Sequence, residues 1–299
     1  MGYGSYQSKD WDNLKSARNI TNRSTVHDLY RSRNMREELN PYQVAFRESC
    51  DSMDNPASTA IIFGLDVTGS MGYLSEAIAR DALNRTMLEI YAKTPVTNPH
   101  IMFQAIGDGL TDTAPLQTTQ FEADIRIAEQ LLNVFFEGNG GGNGGESYLL
   151  SWYFAAKHTK IDCWEKRREK GFLFTIGDEC CHQFLSSQEI QRIFGEDSPA
   201  CESKELFREA SEKYEIFHIV MKAGSYTHQK SGEHWHNLIG NRAVELDPND
   251  LDVLPEIFVS LMQYTRGMGK EQILEQWEGK AAIVVKNILD DMAEDFLKF

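Results

Sequence analysis

Little in this chain would staple it covalently or carry it into a membrane. Five cysteines occur in 299 residues (Cys50, Cys163, Cys180, Cys181, Cys201), an odd number with no Cys-x-x-Cys pair. That usage argues against a disulfide framework and for reduced thiols in a cytoplasmic protein. No apolar run approaches the roughly 20 residues of a membrane span, so no membrane association is expected. The first residues do not begin a secretory signal, and the residues after Gly2 do not fit a myristoylation site. Basic residues are scarce: 30 Lys and Arg stand against 45 Asp and Glu, a net charge of −15. The deficit lies beyond residue 40, because the first 40 residues carry seven basic and five acidic side chains and the remainder is net −17. Such a surface repels nucleic acid and anionic lipid, so neither is expected as a partner. The hydrophobic content of 41% is that of an ordinary globular protein, and the length suits one α/β domain with extensions or two small domains.

What is present is organised around Ala60-Ile61-Ile62-Phe63-Gly64-Leu65-Asp66-Val67-Thr68-Gly69-Ser70-Met71-Gly72. An apolar run that stops at an acid reads as a strand buried on both faces, as in the middle of a parallel sheet. Asp66 then stands at its carboxyl end, where open α/β sheets place ligands. Asp66, Thr68 and Ser70 bear oxygen at i, i+2 and i+4 in a loop opened by Gly69 and Gly72. One carboxylate and two hydroxyls form a hard-oxygen set suited to Mg²⁺ or Mn²⁺. The plainer alternative is a strand-to-helix turn in which Thr68 or Ser70 only caps the helix that begins near Tyr73.

Two further apolar runs also end in acid. His100–Ile106 is closed by Gly107-Asp108-Gly109, and Lys170–Ile176 by Gly177-Asp178-Glu179. Between them, Thr111–Gln120 suits a short edge strand, Phe121–Phe136 a helix, and Tyr148 to about His158 another helix. The tract Gly138-Asn139-Gly140-Gly141-Gly142-Asn143-Gly144-Gly145-Glu146-Ser147 separates these two helices. A flexible linker there would cut the periodic region in half, whereas a backbone that must crowd a ligand needs such glycines. Strands at Glu215–Met221 and Arg242–Leu246 and a helix from Leu251 to Tyr264 follow. The spacing gives a doubly wound, mostly parallel sheet flanked by helices, of the Rossmann-like α/β class.

The three acid-ending loops, Asp66-Val67-Thr68-Gly69-Ser70, the glycine tract through Glu146-Ser147, and Gly177-Asp178-Glu179, resemble the metal-ion-dependent adhesion site (MIDAS) of the von Willebrand factor A (vWA) family, in its intracellular bacterial-type variant. The resemblance covers about residues 57–266. It implies that Asp66, Thr68, Ser70 and Asp178 hold a Mg²⁺ or Mn²⁺ ion. The family's second loop is commonly Gly-Gly-Thr-x-Thr; this chain has no Thr there. Asn143 is the first candidate for that ligand, with Glu146 and Ser147 behind it, and Asp108 is a further acceptor beside the site. The implied function is a metal-dependent protein-binding module of adaptor or adhesion type, not an enzyme. Its partner is a protein that offers an Asp or Glu, and intracellular relatives of this kind work beside AAA+ ATPases.

An enzymatic alternative rests on the same loop. Asp66-Val67-Thr68-Gly69-Ser70 is similar to the nucleophile loop Asp-x-Thr-Gly-Thr of haloacid dehalogenase-like phosphatases, with Asp66 attacking a phosphoryl group beside Mg²⁺. Against it, that family has an acid where Thr68 stands and a second later acid where His182 stands. A zinc reading of Cys180, Cys181, His182, His228, His234 and His236 fits no standard ligand spacing.

The chain therefore divides into a polar arm with short helices (1–55), a vWA-like α/β domain (56–266) and a C-terminal amphipathic helix (267–299). In the last, Ile273, Trp277, Ala281, Val284, Val285, Ile288, Met292 and Phe296 recur at helical steps, with a break expected at Gly279. Packing within the chain is expected for that face ahead of partner docking.

Overall fold

The computed structural model describes residues 4–138, 145–223 and 228–295, and the apolar runs named above become its central sheet. In chain order the strands are β1 (Arg47–Ser49), β2 (Thr59–Asp66), β3 (Pro99–Ile106), β4 (Leu116–Thr118), β5 (Thr159–Ile161), β6 (Gly171–Gly177), β7 (Phe184–Leu185), β8 (Cys201–Glu202), β9 (Tyr214–Met221) and β10 (Ala243–Leu246). The helices are α1 (Ser8–Arg18), α2 (Val26–Leu29), α3 (Gly72–Ala77), α4 (Leu83–Lys93), α5 (Arg126–Leu131), α6 (Leu149–Lys157) and α7 (Asp162–Arg167). They continue with α8 (Ser187–Phe194), α9 (Ser203–Lys213), α10 (His228–Ile239), α11 (Leu254–Thr265), α12 (Lys270–Leu274) and α13 (Gly279–Asp295).

The central sheet has the order β10-β9-β6-β2-β3-β4, parallel throughout except for the antiparallel edge strand β4. Every residue of β2 is buried, because helices cover both faces of the sheet. On one face Phe103, Phe63, Phe174 and Phe217 form a ladder across β3, β2, β6 and β9, with neighbouring ring centroids 5.6 Å apart. Phe258 of α11 closes it at 4.8 Å from Phe63. A one-residue slip of any strand would turn its rung to the opposite face, so the ladder pins the register. Leu74, Met87 and Ile257 pack on this side; Tyr148, Trp152, Ile190, Leu206 and Trp235 pack on the other.

Helices α3 and α4 are one helix interrupted by a π turn over Ile78–Ala82. The expected helix from Phe121 to Phe136 contracts to α5. Its beginning is taken by backbone bonds between Glu122 and Ile101 that extend the sheet, and Asp124 Oδ1 accepts the Arg126 N–H where the helix starts. Its end is taken by Gln117, whose Oε1 accepts the Phe135 N–H. The C-terminal stretch is two helices, parted at the break expected at Gly279. The chain bends ahead of Gly279, which sits at φ 56°, and Trp277 donates from Nε1 to Ser260 Oγ at 2.8 Å. Val285 and Leu289 of α13 are buried against the body of the protein. In the N-terminal arm Trp11, Leu29, Tyr30 and Leu39 are buried, and β1 pairs in parallel with β5. Among the described residues no helix is long and apolar enough to cross a membrane.

Candidate metal centre

Strand β2 hands the chain to α3 on one face of the sheet, while β6, its neighbour, hands it to α8 and α9 on the other. Diverging connections open a crevice at the carboxyl ends of such a pair, the usual ligand position in an open α/β sheet. Leu65 lies opposite Ile176 in the register, so the acids that follow, Asp66 and Asp178, flank that crevice.

The loop after β2 is shaped by Asp66 itself. Its Oδ1 accepts the Thr68 N–H at 2.9 Å and the Thr68 hydroxyl at 2.6 Å, which reverses the chain. Thr68 Oγ1 and Ser70 Oγ are 3.4 Å apart, and the Ser70 hydroxyl donates to Asp178 Oδ1 at 3.1 Å. Asp66, Thr68, Ser70 and Asp178 are thus brought together in one connected run of oxygen atoms. Asp66 is 0% exposed, Thr68 3% and Asp178 4%, whereas Ser70 is exposed, so the run opens to solvent at Ser70.

Electrostatics at this point are unfavourable without a cation. Burial pushes the Asp66 carboxyl up to about 7 against the bonds from Thr68 and Tyr148 that hold it down, and burial also raises Asp178. Glu146 is lifted further, to about 10, by burial first and then by the charges of Asp66, Asp108, Asp112 and Glu179. Its Oε2 is buried and has no hydrogen-bond partner. A bound dication would reverse each of these penalties, and carboxylates with hydroxyls are the donors that Mg²⁺ and Mn²⁺ take. The residues present therefore fit such an ion. Among the described residues no three His, Cys, Asp or Glu side chains gather in metal-binding geometry; this set is two carboxylates and two hydroxyls.

The remaining candidates are distributed around this run. Asn143 lies outside the described residues. The described ends of its glycine tract do reach the site: a β-carbon on Gly69 would stand 2.8 Å from the Gly138 carbonyl, and one on Gly145 would stand 3.0 Å from His182 Nδ1. Ser147 ties loops together, its buried Oγ accepting the Gly109 N–H at 2.8 Å. Asp108 organises the exit of β3, accepting from the Leu110 N–H at 2.9 Å and the Thr111 hydroxyl at 2.9 Å, with His182 Nε2 at 3.2 Å.

Two tyrosines were not anticipated. The Tyr148 hydroxyl donates to Asp66 Oδ2 at 2.7 Å, and the buried Tyr73 hydroxyl feels Asp178 and Asp66. Each begins a helix beside the glycine-bearing loops, a position whose only sequence signal is adjacency. Asp66 has no exposure, and both of its carboxylate oxygens accept hydrogen bonds.

Fold and site together define a doubly wound α/β protein with an oxygen-donor centre at the topological switch point. No family model matches the chain, and no curated protein does. Solved structures that match the chain include the pilus adhesin SpaC from Lactobacillus rhamnosus GG in its open conformation, at 11% identity and a TM-score of 0.47. That match covers 75% of this chain and 31% of the other, so the chain spans about a third of that adhesin. The vWF domain of the type V pili tip protein Mfa5 from Porphyromonas gingivalis matches at 9% identity and a TM-score of 0.47, covering 71% of this chain and 97% of that one. A von Willebrand factor type A structure from Catenulispora acidiphila matches at 12% identity and a TM-score of 0.38, covering 71% and 43%. At such scores the class assignment rests on the strand order and register of this chain.

Proposed function

We propose that the protein is a binding module that holds Mg²⁺ or Mn²⁺ on Asp66, Thr68, Ser70 and Asp178 and takes a carboxylate of a protein partner at the face opened by Ser70. The connected run of four oxygen-bearing side chains at the switch point, exposed at one end only, is the observation that supports this reading. A dication supplies an electrophilic centre for an incoming Asp or Glu. The chain's own residues set its strength. Tyr148 fixes the orientation of Asp66, Thr68 and Ser70 together link the two acids, and the buried walls lower the local dielectric, so charge interactions there are stronger than in water. The partner class implied by the vWA resemblance is an AAA+ ATPase system.

Calorimetric titration of the metal-free chain with Mn²⁺ is the direct test, with Asp66→Ala as control. A saturable isotherm for wild type that Asp66→Ala abolishes, in a variant with unchanged circular dichroism, supports the reading. Equal binding by both chains overturns the site. A pull-down with wild-type bait in Mg²⁺ and in EDTA then tests the partner, and a binder retained equally in both conditions overturns carboxylate capture through the ion.

A further inference from the structure

The opposite end of the sheet carries a second feature. β10 is its outer strand, paired to β9 on the inner side. The Lys222 N–H donates to the Leu246 carbonyl at 2.9 Å, which turns the backbone groups of Leu246, and by the pleat those of Val244, toward β9. Glu245 therefore points its N–H and C=O outward, and Ala243 its C=O, the Ala243 N–H being bonded to the Gly240 carbonyl. Natural sheets usually blunt such an edge with a bulge, a proline or a covering element. Here α13 runs alongside but stands off, leaving a cleft of about 370 Å³. All four β10 residues line one wall, and Val284, Ile288 and Asp291 of α13 line the other.

We propose that this cleft accepts an extended, basic segment of another protein as an added strand on β10. Main-chain bonds to the Ala243 carbonyl and to the N–H and carbonyl of Glu245 would hold it, and the apolar walls Val244, Val284 and Ile288 would receive its alternate side chains. The charges at the rim select the sign of the occupant. Asp247 is exposed where β10 ends, and exposed Asp291 stands where it begins, its backbone carbonyl accepting from Asn241 Nδ2 at 2.6 Å. Glu245 is paired with Lys222 at 2.9 Å, and Lys280 is shared between Asp250 at 3.0 Å and Asp252 at 2.6 Å. Among the described residues Asp247 and Asp291 thus stand unpaired with any Lys or Arg at the two ends of the cleft, which leaves its rim net acidic and suits a basic occupant.

Fluorescence anisotropy with the labelled peptide Lys-Val-Thr-Val-Lys on the full-length chain tests this, with Glu-Val-Thr-Val-Glu as the charge control. Saturable binding of the basic peptide alone is expected, weakened severalfold by added salt and unchanged by EDTA or by Asp66→Ala. Glu245→Pro removes one outward N–H without touching the pairing to β9 and should weaken binding tenfold or more. If that variant does not fold, Val284→Arg, which fills the cleft from α13, should do the same. No binding by wild type, equal binding of the acidic peptide, or unchanged binding by a folded variant overturns the proposal. So does a dimer in light scattering that Glu245→Pro disperses, because a second copy would then be the occupant.

Discussion

The hydroxyl of Tyr148 reaches Asp66 through the space that the missing side chain of Gly177 leaves open. It donates to Asp66 Oδ2 at 2.7 Å, and a β-carbon on residue 177 would collide with that hydroxyl and lie 2.6 Å from the ring carbon that bears it. Gly177→Ala must therefore displace the ring, break the bond to Asp66, or both. We expect a loss of about 1–3 kcal/mol in chemical denaturation, the usual cost of overpacking, together with weaker Mn²⁺ binding by calorimetry. Adding Tyr148→Phe should recover only part of the stability, since the ring carbon remains in the way.

Metal-free protein should lose stability as pH rises. Asp66 is lifted from 3.8 to about 7, chiefly by burial, and Glu146 from 4.5 to about 10. For both, the folded state holds a proton that the unfolded chain has released, so the stabilisation is present at low pH and disappears as pH climbs. Between about pH 4 and 7 the Asp66 contribution amounts to roughly 4 kcal/mol, and Glu146 extends the decline toward pH 10. Mg²⁺ should oppose the trend, and its affinity should rise with pH as it displaces those protons. Thermal denaturation in EDTA and in Mg²⁺ across this range checks both signs. A flat profile in EDTA would contradict the buried, uncompensated carboxylates.

No turnover of phosphoesters is expected. With Mg²⁺ and a generic aryl phosphate, wild type and Asp66→Asn should release phosphate at the same background rate. Turnover in wild type that is lost in Asp66→Asn would revive the phosphatase reading and remove the binding-module proposal.

The C-terminal helices are expected to be part of the folded body. Trp277 donates to Ser260 of α11 from a buried position. Trp277→Phe keeps most of the packing but leaves the Ser260 hydroxyl without this partner, which should cost about 1–3 kcal/mol by urea titration while Mn²⁺ affinity stays unchanged.

The middle of the sheet was readable because β2, β3 and β6 are largely apolar runs followed by acids, a pattern that burial on both faces imposes. That Asp66, Thr68, Ser70 and Asp178 come together was readable for the same reason: the first three share one loop, and Asp178 ends the neighbouring strand. Tyr148 was not readable, because its role depends on a gap at Gly177, a strand away in space. The tie from Ser147 to the Gly109 N–H was not readable either, because it joins two loops that are far apart in the chain. The helix expected over Phe121–Phe136 failed where Glu122 bonds to Ile101, a contact between segments that local periodicity does not record. The break between α12 and α13 falls at Gly279, where the sequence marked it, and Trp277 seats against α11 just ahead of it.

The π turn over Ile78–Ala82 has a consequence for how this chain tolerates change. A π turn is an α-helix that has absorbed one extra residue, with the strain confined to a single turn. Deleting one residue elsewhere in α3 or α4 would rotate everything downstream by about a quarter turn and swing Met87 and Ile90 off the Phe63 face. Deleting one inside 78–82 would instead remove the excess, leaving an unbroken helix whose two flanks keep their present faces. Length differences among relatives should therefore collect in this turn rather than in the loops on either side of it.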